Sequence, residues 1–224
     1  MLNVIYVQHF GLLMTIQQIG SFVPYDSNMF LLIGERTMLI DTGSGAFSGP
    51  IIEHISNILN GKKLDAIVLT HRHYDHVGGL KDMVPAFQST VFAGSKDAKA
   101  IQEGGDDKIS GVNLSPCPSK VHELSEGNVI DLGGHMLEVI EAPGHTVGGI
   151  CLYDQVTGSL FSGDTVFAEG IGRTDFEGGD INKLRSSLHK LKKLDIKNLY
   201  PGHGPNIEGS GKESIIKGLR YTGE

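Results

Sequence analysis

Cysteine is scarce in this chain of 224 residues, and Cys117 and Cys151 are the only two. Two are too few for a disulfide framework, and they stand at no CxxC or metal-knuckle spacing, so they read as free thiols of a reducing cytoplasm. No apolar run reaches the ~18 residues of a membrane span, and no membrane partner is expected. Lys and Arg are missing before Arg36, and Gln8 and His9 interrupt the apolar N-terminus. The basic and apolar regions of a secretory signal are therefore not found. Basic residues are the minority overall: 19 Lys+Arg against 26 Asp+Glu leave a net charge of −7. Such a surface repels phosphate backbones, so nucleic acid is not an expected partner and a small-molecule ligand is. Glycine runs the other way: 31 residues is about twice the usual ~7% share. Without a tripeptide period this means a loop-rich scaffold, not a collagen. With 39% hydrophobic and 20% charged residues, the composition is that of a globular protein able to bury a core, expected as a single domain over 1–224. Nothing in the composition fixes an oligomeric state.

Short apolar runs bounded by Gly, Asp and Asn predict strands at Met29–Ile33, Met38–Ile40 and Leu64–Leu69. Between the last two, Ile51, Ile52, Ile55, Ile58 and Leu59 recur at helical spacing behind Gly49-Pro50, with the proline in the first turn. The strands around this helix end in Asp41-Thr42-Gly43 and Thr70-His71, so the unit is β-α-β with chemistry at its carboxyl ends, where open sheets hold ligands. A second half is expected from Val121. Val129–Leu132 and Met136–Ile140 form a hairpin about Gly133-Gly134, and Gly149–Tyr153 and Ser159–Phe161 another across Asp154–Gly158. Asp180 is placed to cap a helix whose Ile181, Leu184, Leu188, Leu191 and Leu194 share a face. A last strand, Lys197–Tyr200, stops at Pro201-Gly202-His203, and Gly104–Lys120 reads as a long loop between the halves. The architecture expected is two layered half-sheets with helices outside.

Five of the ten histidines, His71, His73, His76, His145 and His203, follow apolar strands or sit in Gly/Pro-bounded loops. His9, His54, His122, His135 and His189 have no such context and read as surface or hydrogen-bonded histidines. Thr70-His71-Arg72-His73-Tyr74-Asp75-His76 is the densest cluster. Alternation along an extended chain turns His71 and His73 to one side, and Asp75 and His76 come in after a bend. Imidazole and carboxylate suit Zn, Fe(II) or Mn(II). The following Val77-Gly78-Gly79 frees the backbone where a helix must start close by. Three further strand ends add His145, Asp164 and His203, for a total of five His and two Asp. That is enough for two metal ions with a position left for water. The aromatics Tyr25, Phe47, Tyr74 and Phe167 near strand ends are given no role.

The motif series from Asp41 to His203 resembles the metallo-β-lactamase superfamily. The resemblance implies an α/β fold, a four-layer αββα sandwich of two mixed sheets flanked by helices. It also implies His71, His73 and His145 on one metal, Asp75, His76 and His203 on the other, and Asp164 between them, with Asp41 orienting the cluster without ligating. Class B1 β-lactamases place a cysteine in the second site and lack a ligating histidine at the His76 position, so the pattern is more similar to the glyoxalase II (hydroxyacylglutathione hydrolase) branch. Gly172-Arg173-Thr174-Asp175-Phe176 resembles a stretch shared by short glyoxalase-II-like hydrolases and persulfide dioxygenases. Arg173 is a possible substrate anchor through its planar fork, although a buried ion pair with Asp175 or Asp180 is the reading favoured by their closeness in sequence.

The function implied is hydrolysis of a thioester by a hydroxide bridging two divalent ions, zinc first, with iron or manganese as alternatives. A thiolate leaves without a dedicated general acid, and Asp75 and Asp164 are the catalytic candidates for relaying the proton. Full glyoxalase II enzymes carry a C-terminal helical region with basic residues that grip glutathione. Here Lys212, Lys217 and Arg220 are the only basic candidates after His203, so the thiol stays open. A mononuclear Fe(II) persulfide dioxygenase using His71, His145 and Asp164 is the rival from another reaction class. A lactonase or a small phosphodiesterase is compatible with the same ligands.

Overall fold

The computed structural model describes residues 4–7, 14–20, 23, 24, 26–107 and 111–224, so His9 and Tyr25 lie outside the described residues. In chain order the first strands are β1 (Val4–Val7), β2 (Met14–Ile19), β3 (Met29–Ile33), β4 (Thr37–Ile40), β5 (Ala66–Leu69) and β6 (Thr90–Gly94). A small hairpin of β7 (Gly105–Asp107) and β8 (Val112–Leu114) precedes β9 (Val121–Leu124). One sheet runs β1-β2-β3-β4-β5-β6-β9, antiparallel up to β4 and parallel from β4 onward. The second sheet is β10 (Val129–Asp131), β11 (Met136–Glu141), β12 (Ile150–Asp154), β13 (Ser159–Gly163) and β14 (Asn198–Pro201), antiparallel except for the parallel β13–β14 pair.

Side-chain alternation divides each sheet between two apolar layers. In β3, Met29 and Leu31 face the helices α1 (Ser48–Leu59), α3 (Leu80–Phe87) and α4 (Ser95–Glu103), where they meet Ile51, Ile55, Met83 and Ile101. Phe30 and Leu32 of the same strand face the other sheet and pack with Leu152, Phe161 and Tyr200. On the far side of the second sheet, Cys151, Tyr153 and Leu160 pack on Leu188 of α5 (Ile181–Leu191) and on Ile215 and Leu219 of α6 (Gly211–Tyr221). The layers are therefore helix, sheet, sheet, helix. Ala66–Leu69 is buried at every position because it is a parallel strand covered on both faces.

Two expectations are corrected. The second half does not begin at Val121: β9 pairs in parallel with β6 and closes the first sheet, with Val121 in the helix-side layer and Leu124 between the sheets. The stretch Gly104–Lys120 is not structureless, since it carries the β7–β8 hairpin. Further along, α5 ends at Leu191, and Leu194 packs on the same layer from just beyond it. Among the described residues no helix is long and apolar enough to cross a membrane.

Candidate metal centre

The two parallel stretches, β4–β5 and β13–β14, aim their carboxyl ends at one edge of the sandwich. Asp41 follows β4, Thr70 and His71 follow β5, Asp164 follows β13 and His203 follows β14 by two residues. His73 leads into α2 (Tyr74–Val77), a single turn that carries Asp75 and His76. Gly78 and Gly79 let this turn lie against the loop after β4. A Cβ on either would stand 2.2 Å from a carbonyl oxygen, of Ser44 and Thr42 respectively. The contact is sealed by the Thr42 N–H and hydroxyl, which both donate to the His76 carbonyl at 2.8 and 2.9 Å.

The seven side chains singled out in the sequence converge. The ligand atoms of His71, His73 and His145 lie within 4.8 Å of one another, as do those of Asp75, His76 and His203, and those of His71, His76 and Asp164. The Asp164 carboxylate stands between the groups: Oδ2 is 3.5 Å from His145 Nε2 and 3.6 Å from His203 Nε2, and Oδ1 is 3.3 Å from His76 Nε2. Asp75 Oδ2 is 3.0 Å from His203 Nε2 and 3.7 Å from His76 Nε2. Asp41 stays behind the cluster. Its Oδ2 accepts from His76 Nδ1 and Thr70 Oγ1, and its Oδ1 from the Thr70 N–H, all at 2.8 Å.

These outer contacts decide which nitrogen faces inward. His145 Nδ1 donates to the Arg173 carbonyl at 2.7 Å, so Nε2 carries the free lone pair. His71 Nδ1 lies 3.1 Å from the Thr70 hydroxyl, whose own hydrogen goes to Asp41, and this again leaves Nε2 as the acceptor. The Nε2 atoms of His71, His73 and His145 and Oδ1 of Asp164 are buried without a hydrogen-bond partner among the described residues. Orphaned buried acceptors of this kind are rare unless an ion or ordered water completes them. The donor set fits a divalent cation. Two ligands at ~2.1 Å from one ion are roughly 3.4 Å apart in tetrahedral geometry, close to the separations around Asp164. Gly202 preserves the space, since a Cβ there would stand 2.2 Å from Asp164 Oδ1 and 2.7 Å from His76 Cε1.

Burial holds the His71 pKa well below the ordinary imidazole value, with His76 and His73 adding to it, and brings His73 down to about 3. Both are neutral bases with a lone pair to give. Around the second group burial also opposes charge but is outweighed. Asp41, Asp164 and Asp75 hold His76 well above its usual value, and the Asp75 hydrogen bond raises His203. Burial opposes the ionisation of Asp164 and Asp75 too, yet the facing His76 and His203 keep both carboxyls below their ordinary range.

Arg173 pairs with Asp175 through two contacts of 3.0 and 2.7 Å and stacks 4.1 Å over the Phe176 ring. The pair is exposed, not buried as its sequence context suggests. Two aromatics flank the cluster that the sequence did not single out for a role: Phe176 is 6.2 Å from His73 and Phe167 is 6.1 Å from His203, ring centre to ring centre. Phe176 closes the Gly172–Phe176 stretch that carries a family resemblance, and Phe167 stands three residues after Asp164 among the aromatics near strand ends that were given no role. Of the remaining histidines, buried His135 lies 2.9 Å from Asp154 through Nδ1 and exposed His189 lies 2.7 Å from Glu224 through Nε2, both away from the cluster.

Comparison with known proteins agrees with this geometry. The model of the metallo-β-lactamase superfamily matches residues 23–203. A probable metallo-hydrolase of Methanocaldococcus jannaschii is 36% identical over 188 residues, covering 80% of this chain and 88% of that one. A hydroxyacylglutathione hydrolase of Bdellovibrio bacteriovorus is 35% identical over 174 residues, covering 75% of this chain but only 59% of that enzyme. Among solved structures, the B3 metallo-β-lactamase BLEG-1 superposes with a TM-score of 0.77 at 27% identity, covering 90% of this chain and 95% of that one. The protein TTHA1623, in a di-iron-bound form, gives 0.70 at 31% identity, covering 84% and 93%. The chain belongs to the metallo-β-lactamase superfamily. Relatives that it matches within the superfamily carry the names metallo-hydrolase and hydroxyacylglutathione hydrolase.

Proposed function

We propose that this protein hydrolyses a small-molecule thioester, using two divalent ions, zinc first, held by His71, His73 and His145 on one side and Asp75, His76 and His203 on the other, with Asp164 between. The observation that carries the reading is the Asp164 carboxylate, which faces His145 in one group and His76 and His203 in the other. Ions bound there would supply Lewis acidity to the acyl carbonyl and would acidify water toward neutral pH. The likeness to hydroxyacylglutathione hydrolases supports a thioester over a β-lactam, and the 59% coverage of that enzyme leaves the thiol portion open.

The chain's own residues do the rest. Asp41 and Thr70 fix the imidazoles of His76 and His71 from behind, and the Arg173 carbonyl fixes that of His145. Phe176 and Phe167 stand on opposite groups and wall the approach with apolar surface. Asp75 is the more exposed of the two inner carboxylates, and in this reading it takes up the proton that water loses and passes it to solvent. The net reaction adds water across the acyl C–S bond. A C–O bond forms, the C–S bond breaks, and the thiolate leaves without needing a general acid.

Metal content and lactoylglutathione hydrolysis, measured on the wild type, His71→Ala and Asp164→Ala, test this reading. Both variants should lose bound metal together with thioester cleavage, and full activity in a metal-free Asp164→Ala protein would refute it. The set His71, His145 and Asp164 has the residue types of a two-histidine, one-carboxylate iron site. Oxygen uptake on a persulfide by anaerobically purified protein, with no thioester cleavage, would move the assignment to a dioxygenase. Cleavage of an acyl-homoserine lactone or of bis-p-nitrophenyl phosphate in preference to the thioester would move it to a lactonase or a phosphodiesterase.

A further inference from the structure

Behind the seven donors stand two buried or half-buried side chains, each tied to the backbone of one group. Asp97, in the first turn of α4, is fully buried. Its Oδ2 accepts from the Thr146 hydroxyl at 2.7 Å and its Oδ1 from the Gly148 N–H at 3.1 Å, while the backbone N–H of Arg72 faces the same carboxylate. Thr146 follows His145, and Arg72 lies between His71 and His73. One carboxylate is therefore bonded to the loop that supplies His145 and faces the one that supplies His71 and His73.

Asn28, just ahead of β3, does the same for the loop of His203. Its Nδ2 donates to the carbonyls of Pro201 and Gly204, both at 2.9 Å, and its backbone N–H donates to the Gly202 carbonyl at 2.6 Å. The amide cannot turn over without setting oxygen against two carbonyls. It is further locked by Gln18 Nε2, which donates to Asn28 Oδ1 at 2.7 Å while Gln18 Oε1 accepts from Asn206 at 3.0 Å. His203 thus sits on a loop pinned at three carbonyls, those of Pro201, Gly202 and Gly204, two of them by one side chain.

We propose that Asp97 and Asn28 are positioning residues that set the metal affinities of the two groups separately, Asp97 for His71, His73 and His145 and Asn28 for the group containing His203. The inference rests on the two-ion reading above. Partners that orient ligands from outside are worth 10–100-fold in metal affinity, and these two braces share no contact with each other among those described.

The test is the pair of stepwise zinc dissociation constants of the full chain, measured by competition with a chromophoric chelator. Thr146→Val removes one hydrogen bond to Asp97 while keeping the side chain's shape, and Thr146→Ser keeps the hydroxyl. Asn28→Asp keeps the shape but sets an oxygen against the two carbonyls. Thr146→Val should raise one constant about 10–100-fold, Thr146→Ser should leave both near wild type, and Asn28→Asp should raise the other constant. If both variants raise the same constant, if each raises both, or if neither is moved, the assignment of separate braces is overturned. A wild-type protein that takes up fewer than two ions overturns the two-ion reading and this inference with it, an outcome visible before any variant is made.

Discussion

Asp41 sits at φ 60°, a left-handed conformation that costs a non-glycine residue on the order of 1 kcal/mol or more. Three hydrogen bonds to its carboxylate, from the Thr70 N–H, the Thr70 hydroxyl and His76, hold it there. Replacing Asp41 by Ala keeps the strain and takes away the acceptor of three buried donors, His76 Nδ1 and the Thr70 N–H and hydroxyl. Urea unfolding of the metal-free protein should show a loss of about 3–5 kcal/mol. Gly202→Ala acts differently. Its methyl would press into Asp164 and His76, so the variant should keep its far-UV circular dichroism and lose metal uptake. Metal uptake equal to wild type would show that the cluster opens more readily than its packing implies. Away from the cluster, burial pushes the Cys151 thiol up to about 12, so at pH 8 only about one part in ten thousand is thiolate. Iodoacetamide at that pH should label it in urea and not in the folded protein. The seven donors were legible because each follows an apolar strand or belongs to one dense motif. Asp97 and Asn28 were not, because their partners lie 49 and 173 residues away in the chain.

At the scale of elements, legibility followed the apolar content of the buried face. The β5 run Ala-Ile-Val-Leu is buried on both sides and announces itself, as does α1 with Ile51, Ile55 and Leu59. Helix α4 buries only Ala98 and Ile101 as apolar side chains, so its period is faint, and β9 shows only Val121 and Leu124 around two exposed polar residues. Helix α6 presents Gly218 to Val166 and Ile171, a close approach that removes an apolar side chain from the pattern a sequence reader counts. The α5 start was readable from its cap. The Asp180 carboxylate accepts from the N–H groups of Asn182 and Lys183 at 2.9 and 3.2 Å. Its own N–H donates to the Gly144 carbonyl, next to His145. Asp180→Ala removes the cap bonds and leaves that backbone tie, so thermal unfolding should record a loss of about 1 kcal/mol with metal stoichiometry unchanged. Loss of an ion in this variant would mean that the cap also positions the His145 loop.

The whole molecule depends on the layer between the two sheets. There Phe161 stacks on Tyr200 with ring centres 4.9 Å apart, and Phe30 meets both rings edge-on at 5.5 Å. The two-sheet architecture was visible in the sequence as two sets of short strands, but the seam between them was misplaced. The parallel strand β9 carries no motif, and nothing local says which sheet a four-residue strand joins. Because the loops that carry the seven side chains spring from both sheets, the cluster exists only while that central layer is closed. Phe161→Ala removes a ring that meets both Phe30 and Tyr200 without touching the seven side chains of the cluster, and large-to-small changes of this kind cost about 3–5 kcal/mol. If the chain behaves as one folding unit, the loss should appear as a single transition at lower urea, with far-UV dichroism and the near-UV signal of the buried tyrosines moving together. Two separated transitions, one for each sheet, would show that the halves hold their own structure, and the single-domain expectation would fall.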